Sequence, residues 1–91
     1  MMRLVLGAGL NPRVAKIGPT IRLFAGKYRL VVENHKDSEV VLHSKSGVIK
    51  KDEEFSGDGK FYYEILKPGT EEYINIFAEQ HSGSDTSTAK S

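Results

Sequence analysis

A chain of 91 residues with no cysteine has room for one core, and it excludes disulfides, thiolate catalysis, iron–sulfur clusters and zinc ribbons. With 38% apolar and 27% charged residues it is too apolar for disorder throughout, and no stretch approaches the ~20 apolar residues of a membrane-spanning helix. The net charge of +1 conceals a division: ten basic residues face three acids up to Lys51, then three lysines face nine acids from Asp52 onward.

The chain opens with an apolar run, Leu4 to Leu10, that contains two glycines and stops at Asn11-Pro12. It is too short and lacks the small-residue cleavage site of a secretory leader, so it reads as a first strand or ordered arm within an N-terminal segment 1–19. Strand and turn signals then alternate. Thr20 to Phe24 alternates polar and apolar, and Ala25-Gly26 breaks it. Lys27 to Glu33 resumes with Tyr28, Leu30 and Val32 on one face. Asn34 to Ser38 is a polar turn, and Glu39 to His43 is a β-branched strand. Ser44 to Gly47 turns into Val48-Ile49-Lys50.

Past the charged stretch 51–54 and Phe55, the sequence Ser56-Gly57-Asp58-Gly59 carries strong turn chemistry. Lys60 to Leu66 is the clearest strand, Lys67-Pro68-Gly69-Thr70 turns, and Glu72 to Phe77 completes the set. No window of a dozen residues holds a helical apolar stripe free of Gly or Pro. Short strands at this spacing predict an all-β fold, a small antiparallel sandwich of about seven or eight strands, with its core over 20–79 and a polar tail over 80–91.

The candidate sites are few. His35, His43 and His81 supply no third converging ligand, although His35 and His43 could approach each other across the strands flanking their turn. No metal or cofactor is expected. Lys60-Phe61-Tyr62-Tyr63 resembles a base-stacking platform, but alternation sends Phe61 and Tyr63 to one face and Tyr62 to the other, and the surrounding acids oppose a phosphate backbone. Arg13, Lys16, Arg22, Lys27 and Arg29 lie on neighbouring segments, and Arg22 could meet Arg29 across the Ala25-Gly26 turn. Pairing of the basic strands with the acidic ones inside the domain is the favoured reading, and contact with another subunit the next. The serines lack a nucleophile elbow, and Asp52, Glu53 and Glu54 form a solvated run with nothing apolar around it.

Two segments, Gly26 to Asn34 and Leu66 to Ile74, carry an apolar strand ending in Asn and a later Leu-x-Pro-Gly turn. In this the chain resembles immunoglobulin-like and cupredoxin-like sandwiches over about residues 20–78. The resemblance implies a fold and no function, and the copper ligands of cupredoxins have no counterparts here.

The expected function is non-enzymatic: a structural or interaction protein, a small subunit of a larger assembly such as a capsid decoration protein of a virion. The partners are then other protein subunits, with Arg13, Lys16, Arg22, Arg29, Lys50, Lys51 and Tyr62 as the contact residues. Nucleic acid and membrane are not favoured. A carbohydrate- or nucleic-acid-binding sandwich using the tyrosines and basic strands is the alternative, and the protein is expected to be soluble, and virion-associated where the capsid reading holds.

Overall fold

Strands form where β-branched and aromatic residues alternate with polar ones, and they end at glycines or at short polar residues that tolerate left-handed backbone. The computed structural model describes residues 2–80. Its eight strands are β1 Arg3–Leu10, β2 Ile21–Leu23, β3 Lys27–Glu33, β4 Glu39–Ser44, β5 Gly47–Lys50, β6 Glu54–Ser56, β7 Gly59–Lys67 and β8 Ile74–Gln80. There is no helix among the described residues. Asn34 and Asp37, with φ of 58° and 62°, bend the β3–β4 turn that the polar run predicts.

Two four-stranded antiparallel sheets pack together, in the orders β1-β8-β3-β6 and β2-β7-β4-β5, so the chain is the small β-sandwich expected. The strand order refines that expectation. Pairs β1·β8, β2·β7, β3·β6 and β4·β5 are those of one long hairpin folded at Lys45-Ser46, and β3·β8 and β4·β7 join it into sheets as it rolls up. This is a jelly-roll order. An immunoglobulin domain keeps its first two strands in one sheet, whereas β1 and β2 here lie in different sheets.

The core is the inward set of alternate residues. Tyr28, Leu30 and Val32 from β3, Phe61, Tyr63 and Ile65 from β7, and Ile74, Ile76 and Ala78 from β8 are all buried. Phe55 bridges the layers: its ring stacks on Tyr28 of its own sheet at 5.7 Å and tilts against Phe61 of the other at 5.5 Å. Leu6 joins the core, so Arg3–Leu10 of the N-terminal segment is an edge strand of the first sheet. Of the polar tail, only Gln80 lies within the described residues; it closes β8, its N–H donating to the Met2 carbonyl at 2.8 Å.

The connection from β1 to β2 is itself anchored. Ile65 N–H donates to Lys16 O at 2.7 Å and Gly18 N–H to Tyr63 O at 3.0 Å, so this segment runs beside β7 as an irregular continuation of β2. At the far edge, β5 is four residues long and partly blocked: Lys50 N–H donates to the Glu53 carboxylate at 2.8 Å, and Lys50 O accepts from Glu53 N–H at 3.2 Å. Short, self-capped edges resist pairing with other chains.

Candidate interaction surface

The two outer faces of the sandwich differ in how their charges are used. On the first sheet, register places Arg3 opposite Glu79 and Arg29 opposite both Glu79 and Glu54. The Arg3 guanidinium bonds Glu79 at 2.9 Å and Glu33 at 2.8 Å while lying over the Phe77 ring, 4.8 Å from its centroid. These bonds, the one to Glu33 first, raise the Arg3 guanidinium's already high pKa, and the hydrogen bond from Arg3 holds the Glu33 carboxyl below its ordinary value. Arg29 bonds Glu54 at 2.9 Å and the Asp52 carbonyl at 3.0 Å. Most of this face is closed by ion pairs, with Lys27 outside them and Val5 exposed at 57%.

The outer face of the second sheet is not closed. Its rows follow from register and the two-residue period: Arg22 beside Lys60, then Tyr62 beside His43 beside Val48, then Ile17 beside Glu64 beside Val41 beside Lys50. The Tyr62 and His43 rings stack at 4.7 Å and 17°, and His43 Nε2 meets the Glu64 carboxylate at 2.7 Å. Around this flat pair stand exposed apolar side chains: Ile17 at 65%, Val48 at 53% and Leu66 at 52%. Arg22 directly opposite Lys60 is a like-charge pair, an arrangement that disfavours the isolated sheet.

The contact residues expected from the sequence therefore separate into two groups. Tyr62 and Arg22 lie on the open face, with Lys50 at its β5 margin and Lys16 exposed on the segment that flanks β7. Arg13, Arg29 and Lys51 are engaged within the chain. Arg13 donates to the carbonyls of Glu71 and Gly69 at 3.2 and 3.4 Å, and Lys51 Nζ donates to Ser38 O and to His35 Nδ1.

Two expected proximities are corrected. Arg22 and Arg29 do not pair across Ala25-Gly26, because β2 and β3 belong to different sheets and that turn is a crossover between layers. His35 and His43 are separated for the same reason, β3 and β4 lying in opposite sheets; His35 contacts Lys51, and His43 contacts Glu64 and Tyr62. His81 lies outside the described residues. No group of three or more metal-ligating side chains converges among the described residues.

Sequence reasoning missed Ile17, Val48, Leu66 and the His43–Glu64 bond. The alternation of β7 was a signal for Leu66, which shares the parity of Tyr62, but the neighbours of Tyr62 depend on long-range register. No family model, no curated protein and no solved structure gives a significant match to this chain.

Proposed function

We propose that the protein is a non-enzymatic interaction module, a subunit of a larger protein assembly that docks through the outer face of its second sheet. The observation that supports this reading is the contrast between the two faces. One has most of its charges paired within the chain and exposes Val5, while the other presents Ile17, Val48, Tyr62 and Leu66 to solvent beside Arg22 and Lys60, which make no ion pair among the described residues. An aromatic anchor among apolar neighbours with a charged margin is the composition of a protein interface. Decoration of a viral shell is one specific form of this reading. Jelly-roll sandwiches recur in capsid proteins and also in lectins, so the fold is an analogy here and not the argument.

Cross-linking and affinity capture from the organism that makes the protein test the proposal. The wild-type chain is expected to retain a stoichiometric protein partner that Val48→Asp and Ile17→Asp variants of unchanged fold release. A wild-type chain that retains no partner, or a partner indifferent to both substitutions, overturns it. Glycan binding that is lost in Tyr62→Ala would replace it with a carbohydrate-binding role for the Tyr62–His43 stack.

A further inference from the structure

The two ends of the sandwich are as unlike as its two faces. Strand β3 runs from the β2–β3 turn at one end to the β3–β4 turn at the other, and β7 ends beside that second turn, where Thr70 N–H donates to Lys36 O at 3.2 Å. The first end, the head, carries Phe24 at its tip. With 78% of its surface exposed, Phe24 is the most solvent-accessible large apolar side chain of the described residues.

The turn that displays it is braced. Tyr28 Oη donates to Phe24 O at 3.0 Å, Asp58 N–H to Leu23 O at 3.0 Å, and Gly57 N–H to Gly26 O at 2.8 Å, which ties the β2–β3 and β6–β7 turns together. A bulky aromatic held out on a fixed turn has little freedom left to lose on binding. Around it the head places Arg22, Lys27, Lys45 and Lys60 against Asp58 alone, and none of the four cations makes an ion pair among the described residues.

The opposite end, the tail, has the complementary features. An open depression there is lined by Asp37, Lys67, Pro68, Gly69 and Thr70. The acids Asp37, Glu39, Glu71 and Glu72 stand around it with an equal number of cations, Lys36, Lys67, Arg13 and Lys51, of which Arg13 and Lys51 are turned onto backbone carbonyls; none of these acids makes an ion pair among the described residues. Arg13 is turned toward the carbonyls of Gly69 and Glu71, which fixes the wall of the depression. Lys67, among the lining residues, places a cation at the depression.

We propose that copies of this chain associate head to tail, Phe24 of one copy seating in the Pro68–Thr70 depression of the next and the head cations meeting the tail acids. The contact uses two different patches on opposite ends, so it is heterologous and propagates as a row or closes as a ring. It shares Arg22 and Lys60 with the outer face of the second sheet but leaves Ile17, Val48, Tyr62 and Leu66 uncovered, and so goes beyond the docking function proposed above.

Sedimentation velocity of the full chain over a concentration series tests the idea. In low salt the wild type is expected to form species larger than a monomer that dissociate at about 1 M salt, where charge attraction is screened. Phe24→Ala weakens the association by about tenfold or more, and Phe24→Asp abolishes it, with the circular dichroism of the fold unchanged. A tail variant carrying Asp37→Lys, Glu71→Lys and Glu72→Lys is likewise monomeric. Mixing the Phe24→Asp and tail variants restores a one-to-one dimer and nothing larger, because one intact head meets one intact tail. A wild type that stays monomeric, or a mixture that does, overturns the proposal. So does an oligomer that survives Phe24→Asp yet dissociates on Val48→Asp; that result would assign self-association to the sheet face and leave the docking function standing.

Discussion

Single residues set the response of this fold to pH. The hydrogen bond from Arg3 lowers the Glu33 carboxyl, so the ionised form is favoured by folding. The stability this contributes is present above the carboxyl's unfolded value and is lost as pH falls through the folded one. Side-chain carbon NMR should find Glu33 titrating below the ordinary glutamate range, and Arg3→Ala should move it back; a Glu33 that titrates normally in the wild type would contradict the bond. Tyr28 and Tyr63 shift the other way, because burial raises both phenols. Their contribution is complete below the unfolded tyrosine value and is lost as pH rises through the raised one. Absorbance titration should show two late-ionising tyrosines with unfolding at alkaline pH, and Tyr63→Phe should leave one. Tyr28 and Tyr63 were legible as core from alternation alone. Glu33 was not, since its partner Arg3 lies thirty positions away and no local pattern selects it.

At the scale of elements, two glycines hold the connections in place. A methyl group on Gly18 would stand 2.1 Å from the buried Tyr63 ring, and one on Gly57 would stand 2.4 Å from the Phe24 carbonyl. Gly18→Ala should therefore destabilise by about 1–3 kcal/mol through overpacking, read as a lower urea midpoint at unchanged slope. An unaffected midpoint would mean that the segment 16–18 does not pack against β7 in solution. Strand positions were readable from the sequence because alternation and turn chemistry are local: Lys27–Glu33 appears as expected, and β4, β5 and β7 lie within a residue of expectation. Strand partners were not readable. Gly26 to Asn34 looks the same whether β3 neighbours β2, as an Arg22–Arg29 pairing across the turn would need, or β6 and β8, as it does. The same blindness produced the expected Arg22–Arg29 and His35–His43 proximities.

Over the whole molecule, the divided charge of the sequence becomes an interleaved one. Of the six strand pairings, all but β4·β5 join a strand from before Lys51 to one from after it. Basic and acidic strands thus alternate across the first sheet, and the Arg3–Glu79 and Arg29–Glu54 bonds are the local result. A chain of this length holds about 5–14 kcal/mol of stability. Removing buried volume at its centre is therefore severe: Ile76, with no exposed surface, should cost about 2–5 kcal/mol when replaced by Ala. Thermal melting followed by circular dichroism would show a large fall in midpoint, and an unchanged midpoint would place Ile76 outside the core. The presence of a single core and of a charge division was legible from composition. That five pairings would draw on both sides of the division was not, since that follows from which strands meet.

The nested pairing also orders the assembly of the fold in time. Among strands that pair with each other, only β4 and β5 are joined by a two-residue loop; each further pair outward closes a longer loop, up to β1 with β8, which nearly spans the described chain. Loop closure must precede the contacts that reward it, so such a chain folds in milliseconds to seconds and not microseconds, with the hairpin at Lys45-Ser46 formed early and the first strand last. During synthesis the ribosome therefore releases a chain whose Arg3–Leu10 segment waits, unpaired, for β8 to emerge.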